Sequence, residues 1–537
     1  MALVNRVFTV NHKPFFPLGG QARNSSGYNA SESETAFRAV QALHGNTLEI
    51  PVYWEQIEPE EGVFDFSPVA ALLEGARRYH QKLVLLWFGT WKNGNMEYVP
   101  AWVKTQPERF KRVITPSGQD VWVLSSHCAA TFEADRRAFT ALCAYLRDHD
   151  AQHSVIALQI ENEPGILGSD RDYGPEAQTE LESPVPQPLV DALACRTAGP
   201  LYALWQQAGG CERGTWPQLF GPAAGELLTA WSIATFIDKL AEAGKAILDI
   251  PMYLNVWLGE GGWRMPGETY PSGGAVTKLL DLYKVATPHV DLIAPDIYIQ
   301  DAQGYQEICA AYGRSDNPLF IPESAPGNSN VWELFRAIGN YDAIGYAFFA
   351  VEHILTETGA VRPEHQPLVD SFRSVAAAIP LLLEHQGTGR VHAVVQEEGL
   401  GSQHMDFEGY TGLVQFGGSF GKDWRHPGQR PMPGPVPDAK EERGRGLIIQ
   451  VSTHEFFLVG AAYRLYLRPA VPVERAMDAS HSSDFLRARL AHYVIVDEGH
   501  FDPGGSFIVD RRRNGDETDH GVWVEADVGV VHVVMCE

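Results

Sequence analysis

Eight times between Phe15 and Leu383 a short apolar run is followed by a stretch of helical periodicity, and no other property of the chain narrows its fold so far. The runs are Phe15–Gly20, Asn46–Val52, Lys82–Phe88, Val155–Ile160, Pro251–Trp257, Asp291–Tyr298, Leu319–Pro322 and Ala343–Phe349. Apolar residues in a row, with little alternation, describe strands covered on both faces, as in parallel sheets. Helices are expected at about 31–43, 68–79, 132–149, 227–248, 275–286, 304–312, 331–338 and 367–383. Ser31 and Glu34 have the spacing of a capping box for the first of them. The pattern predicts an α/β fold, a (β/α)8 TIM barrel, in preference to an open doubly wound sheet. Neither a dinucleotide fingerprint nor a phosphate-binding glycine loop follows the first strand, so nucleotide binding is disfavoured.

From about Gly387 the pattern changes to short strand-like runs at Val391–Val395, Thr411–Phe416, Leu447–Val451, Phe456–Val459, Ala491–Val496 and Val528–Val534. This predicts a smaller all-β, sandwich-like domain at 387–537 behind a catalytic barrel at 1–386. A chain of 537 residues is long enough for two such cores. The Gly/Pro-rich stretch Gly417–Gly446 reads as a loop. Within it Gly417-Gly-Ser-Phe-Gly421 has the letters of a serine-hydrolase elbow without the following helix that chemistry needs. Another excursion, 167–226, is rich in Pro, Gly and aromatics and follows the fourth strand, where it would shape a cleft.

Charge excludes several classes of partner. With 67 acidic against 42 basic residues the formal charge is −25, which disfavours nucleic acid and anionic membrane surfaces. No segment reaches the roughly 20 apolar residues of a membrane span. The first ten residues lack the apolar core of a signal peptide, and the six cysteines show no Cys-x-x-Cys spacing. A reduced, cytoplasmic protein is the simplest expectation, although a removed export signal would leave the same sequence.

The chemistry concentrates at Glu161-Asn162-Glu163-Pro164-Gly165, where Pro-Gly should end the fourth strand. That position is the C-terminal mouth of a barrel, where active sites are built. A second carboxylate, Glu323 in Pro318-Leu-Phe-Ile-Pro-Glu323-Ser-Ala-Pro-Gly327, stands at the end of the seventh strand. Two carboxyls about 5–5.5 Å apart can cleave a glycosidic bond with retention. Glu163 and Glu323 are therefore the candidate catalytic pair. Asn162 is placed to bond a sugar hydroxyl, and Tyr298 to donate to Glu323. Trp54, Trp87, Trp91, Trp102 and Trp257 lie at or just past strand ends, where indole faces can stack on sugar rings. Glu161 is expected to support its neighbours by hydrogen bonding. Glu49, Glu55 and Glu58 are as readily structural as substrate-binding, and Glu352 and His353 could line the pocket. Ser125, Ser126 and His127 read as a loop. His149 and His153 have i, i+4 spacing without the glutamate of a zinc hydrolase motif, so neither metal nor cofactor is expected.

These stretches resemble clan A glycoside hydrolases, and specifically glycoside hydrolase family 35, a β-galactosidase family. The likeness rests on Gln159-Ile-Glu-Asn-Glu-Pro-Gly165, Tyr53-Trp-Glu-Gln-Ile-Glu-Pro-Glu-Glu-Gly-Val-Phe-Asp-Phe66, Trp91-Lys-Asn-Gly94 with Val99-Pro-Ala-Trp-Val103, and Pro322-Glu323. It implies a cofactor-independent exo-enzyme acting on β-galactoside oligosaccharides by double displacement, with Glu163 as acid/base and Glu323 as nucleophile. Asn162, Tyr298, Trp91, Asn93, Trp54 and Trp257 would contact substrate, and a homodimer is compatible with an enzyme of this kind. Family 35 carries Asn-Glu-Tyr-Gly where this chain has Asn162-Glu-Pro-Gly165. Its third-strand Ala-Glu-Trp triplet appears as Gly89-Thr90-Trp91, and Pro51 replaces a tyrosine. The 58–66 run also resembles family 42. Hydrolysis of glucosides, mannosides or arabinosides, and a non-catalytic sugar-binding barrel, are the alternatives.

Overall fold

The computed structural model describes residues 1–4, 6–259, 263–416, 443–470, 492–513, 515–518 and 521–536. Eight parallel strands form its centre: β1 (Leu18–Gln21), β2 (Thr47–Tyr53), β3 (Lys82–Lys92), β4 (Val155–Asn162), β5 (Met252–Trp257), β6 (Leu292–Ile297), β7 (Glu323–Ser324) and β8 (Tyr346–Phe349). They lie in the order β7-β6-β5-β4-β3-β2-β1-β8. A parallel bridge between Ile321 and Tyr346 brings β7 against β8 and closes the ring. The chain is a (β/α)8 barrel followed by antiparallel sheets.

Burial on both faces explains the unbroken apolar strands. On β3, Leu83, Leu85 and Trp87 pack outward on the helical layer, while Val84, Leu86 and Phe88 join the inner cluster with Tyr253, Leu292 and Phe320. The end opposite the mouth is stoppered by a three-stranded sheet of Ala2–Val4, Val7–Val10 and Lys13–Phe15. Its Phe8 meets the Phe320 ring edge-on at 5.5 Å.

Four expectations are corrected by this geometry. The first strand begins at Leu18, because Phe15 belongs to the stopper and Pro17, lacking an N–H, separates the two. The first helix (Ala30–Ala42) is capped by Asn29, whose side chain accepts from the Glu32 N–H at 3.0 Å, so Ser31 and Glu34 are not its box. The seventh strand's ladder is limited to Glu323–Ser324, since Pro318 and Pro322 cannot donate. The 167–226 excursion holds helices Pro175–Leu181, Gln187–Ala194, Pro200–Gln207 and Trp216–Phe220, each with proline in its first turn. Proline costs nothing there, because those N–H groups have no helical partner.

Beyond the last barrel helix (Gln366–His385) stand a six-stranded and a four-stranded antiparallel sheet. The larger has the order Val391–Val395, Arg445–Ser452, Glu455–Ala461, Val530–Met535, Tyr493–Phe501, Phe507–Arg512. Alternation assigns its two faces. Val391, Ala393 and Val395 join the barrel's apolar cluster, while Val394 turns into a second core with Phe407, Val414 and Leu465 of the smaller sheet. Four strands escaped the sequence reading: Ser402–Phe407, Tyr463–Pro469, Phe507–Arg512 and Val522–Val524. Arg445 and Gly446, read as loop, begin a strand; Gly417–Gly421 and Ala491 lie outside the described residues. No helix among the described residues is long and apolar enough to cross a membrane.

Candidate active site

The site is built where β4 ends. A strand with regular alternation would turn Gln159, Glu161 and Glu163 to one side. Positive φ angles at Glu161 (+61°) and Glu163 (+44°) break that register. Such angles cost an L-residue roughly 1 kcal/mol or more, so the surroundings must hold them. The Glu163 N–H is held by Asn255 Oδ1 at 2.8 Å, and Glu161 accepts from the Trp91 N–H at 2.7 Å. Gly165 follows because a Cβ there would lie 2.4 Å from Pro271 Cβ.

The two glutamates consequently point apart. Glu161 turns to Asp135, on the helix Ala129–His149, whose carboxylate also takes Trp87 Nε1 at 2.9 Å and the Thr90 N–H at 3.1 Å. Burial, then the Asp135 charge, pushes Glu161 well above the ordinary carboxylate range. Asp135 is pushed up by burial too. Glu161 Oε1 meets no protein donor, as expected of an oxygen sharing a proton with Asp135. Glu161 is thus a supporting group.

Glu163 instead faces Asp296 on β6 and Glu323 on β7, with a carboxylate oxygen of each within 4.8 Å of the others. Glu323 is held on three sides. Gln21 Nε2 donates to Oε1 at 2.6 Å, Asn255 Nδ2 reaches the same oxygen at 3.4 Å, and the Tyr298 hydroxyl donates to Oε2 at 2.7 Å. Asn255 Nδ2 also donates to Asp296 Oδ2 at 2.7 Å. Burial, then the Glu323 and Glu163 charges, raises Asp296 well above its ordinary range. A neutral Asp296 can donate to Glu163, which satisfies its otherwise unpartnered Oδ1. Burial, followed by the charge of Glu323, raises Tyr298, so it remains a phenol and a donor.

Among the described residues this trio is the one group of His, Cys, Asp or Glu close enough to grip a single cation. A cation would have to displace the donors of Gln21, Asn255 and Tyr298, and the arrangement better suits carboxyls sharing protons.

Lys92 closes the other side. Its Nζ donates to Asn162 Oδ1 at 2.7 Å and to Asn93 Oδ1, and stands 5.1 Å from the Phe88 ring centre. This orients the Asn162 amide and leaves its Nδ2 buried without a protein partner. Asn162, Asn93 and Tyr298 thus join the glutamate pair at one mouth, and Trp257 is half-buried at the end of β5.

Three expected sugar platforms are not there. Trp54 is fully buried, its indole donating to Glu58 Oε2 at 3.0 Å and its ring crossed by Trp102. Trp91 is fully buried against Phe236 and donates to the Leu124 carbonyl. Apolar area outweighed their strand-end positions. Trp87, the third, is fully buried and its indole donates to Asp135. Glu58 accepts from Arg137 and the Gly62 N–H besides Trp54, and Glu352 accepts from Ser26 and the Arg23 N–H; both are structural anchors. Glu49, buried on β2, accepts from Tyr253 at 3.1 Å, and burial raises it well above its ordinary value. His127 binds Glu180, and Ser125 binds Asp172.

Gln21, Lys92, Asn255 and Asp296 were missed. A signal existed for two of them: Asp296 and Asn255 lie two residues before Tyr298 and Trp257, on the same faces of their strands.

Comparison with known proteins adds likenesses of backbone. The domain of unknown function DUF5597 matches residues 368–525, spanning most of the last barrel helix and much of both sheets. No curated protein matches. The catalytic domain of a β-amylase from Paenibacillus polymyxa is similar at TM-score 0.49 and 12% identity, over 67% of this chain and 98% of that one. A cold-adapted β-galactosidase from Rahnella sp. R3 is similar at TM-score 0.48 and 16% identity, over 71% and 58%. An exo-β-1,4-mannosidase from Opitutaceae bacterium strain TAV5 is similar at TM-score 0.43 and 13% identity, over 70% and 62%. The chain thus spans less than two thirds of the galactosidase and mannosidase.

Proposed function

We propose that the chain is a retaining exo-β-glycosidase, with Glu323 as nucleophile and Glu163 as acid/base. The observation that carries this reading is the carboxyl separation. One oxygen of Glu163 and one of Glu323 approach within 4.8 Å, a close approach that favours the short spacing of retention, roughly 5–5.5 Å between carboxyl groups, over the roughly 6.5–9.5 Å that inversion needs to seat a water between them. Glu323 attacks the anomeric carbon as Glu163, taking up the proton it shares with Asp296, protonates the departing oxygen. Glu163 then takes a proton from the water whose oxygen displaces Glu323 and releases the sugar, and the Glu163–Asp296 pair again holds one proton. Gln21, Asn255 and Tyr298 supply Glu323 with donors that keep its attacking oxygens aimed. Asp296 holds a proton beside Glu163. The unpartnered Asn162 Nδ2 suits a sugar hydroxyl, and such contacts strengthen in an oxocarbenium-like transition state.

The glycone assigned is β-galactose, on the family 35 motif likeness, with a catalytic unit at 1–386 and the β-rich part at 387–537. A different β-linked glycone is favoured by one observation. Thr90 and Trp91 of the expected galactose-gripping triplet are committed to Asp135 and Glu161, so Lys92 and Asn93 take that side of the mouth.

The deciding experiment is hydrolysis of a nitrophenyl glycoside panel by the native chain, Glu163→Gln and Glu323→Gln. Preference for the β-galactoside, lost in both variants, is expected. Turnover at the native rate in Glu323→Gln would end the mechanistic assignment; binding without hydrolysis in the native chain would make it a sugar-binding barrel.

A further inference from the structure

A cavity of about 530 Å³ lies outside the catalytic cluster, in the seam between the barrel rim and the six-stranded sheet. Gln300 on its wall is two residues past Tyr298, in the connection that leaves β6. Trp332 and Glu333 come from the first turns of the helix Asn328–Tyr341, which follows β7. Glu397, Glu398 and Arg443 close it from the sheet side. The cavity therefore opens on the same rim of the barrel as the carboxylate mouth.

Its walls hold two buried charged groups with unused hydrogen-bonding atoms. Arg443 is 8% exposed, with Nε unpartnered and Nη2 3.7 Å from Glu398. Glu333 is 4% exposed; its Oε2 is unpartnered, 3.7 Å from Arg336 Nε and beyond hydrogen-bond reach. A donor and an acceptor buried without partners in two residues of the same cavity wall suit a ligand that both gives and takes hydrogen bonds. Water can do this singly, but the volume is that of a small organic ligand, and Trp332 adds an apolar surface.

Charge then selects among ligands. Asp301, Glu333, Glu397 and Glu398 outnumber Arg336 and Arg443, which repels phosphates and acidic sugars. Burial raises Glu333 to about 7, so near neutrality it both donates and accepts. These carboxylates do not converge closely enough to share a metal ion.

We propose that the seam is a second saccharide-binding site, taking one or two neutral sugar units whose oxygens accept from Arg443 Nε and whose hydroxyls donate to Glu333 and Glu397. The choice of a sugar over another neutral polyol rests on the glycosidase reading; the site itself does not. It would hold oligosaccharide beside the mouth and raise the effective concentration of chain ends there.

The test uses the full chain carrying Glu323→Gln. Calorimetric titration with neutral tetraoses of β-linked galactose, glucose or mannose is compared among this protein and versions adding Arg443→Met or Glu397→Gln. Glu397 is half-exposed at its side chain, so its variant folds even where the arginine change does not. The expected result is binding of at least one tetraose, weakened about tenfold or more by Arg443→Met and less by Glu397→Gln, as loss of hydrogen bonds to charged groups implies. Nitrophenyl glycoside turnover by chains with Glu323 intact should not change with either seam variant. Tetraose affinity unchanged in both variants, or no binding of any tetraose, overturns the site. Absent hydrolysis with seam-dependent binding would overturn the glycosidase reading and leave the site standing.

Discussion

Glu161→Gln separates the two neighbouring glutamates more sharply than any other change. In the folded chain Glu161 and Asp135 are fully buried, both raised, and arranged to share a proton. Unfolding frees Glu161 to ionise above its ordinary value of about 4.5. The unfolded chain then binds fewer protons than the folded one, so stability falls as pH rises through this window. The slope is about 1.4 kcal/mol per pH unit for one proton as long as the folded group keeps it. Glutamine keeps the pattern without the proton: its amide N–H replaces the shared hydrogen and its oxygen still accepts from Trp91. Urea unfolding from pH 4 to pH 8 should show no gain for the variant at the acid end and a widening gain above pH 5. Turnover should stay within about threefold of native, because the group acts through packing rather than on substrate. Parallel stability curves would refute the shared proton, and lost turnover would return Glu161 to the catalytic set.

Three further outcomes follow from the site. Tyr298→Phe removes the donor to Glu323 Oε2 at 2.7 Å; kcat/KM should fall about 10- to 100-fold, the worth of a hydrogen bond to a charged group, with melting little altered. Lys92→Met frees the Asn162 amide to rotate; kcat/KM should drop, and the native penalty for a 2-deoxy glycoside should shrink, whereas an unchanged penalty would show that the lysine does not orient Asn162. Trp54→Ala should cost about 3–5 kcal/mol of stability, as expected for a fully buried indole. The KM of the folded Trp54→Ala protein should match native, and a raised KM would reinstate Trp54 as a sugar platform.

Sequence alone determined the barrel, because parallel strands covered on both faces must be apolar throughout and the eight runs are. It also put Glu163 just past the fourth strand and Glu323 at the seventh, on a common mouth, since every β-strand of such a barrel ends there. Strand counting in the β-rich part was weaker: Ser402–Phe407 and Phe507–Arg512 carry polar residues on an open face, and their apolar signal is thin. What only the tertiary structure decided was orientation. Two left-handed residues swing Glu161 to Asp135 and leave Glu163 facing Glu323, and no period-two pattern contains that reversal. Trp54 and Trp91 stand where a sugar platform would, yet the depth of packing beneath the rim takes their rings inside. Gln21, Lys92, Asn255 and Asp296 acquire their parts from partners as far as 302 residues away in the chain. Burial and charge proximity act through space, and the closed barrel brings those residues together.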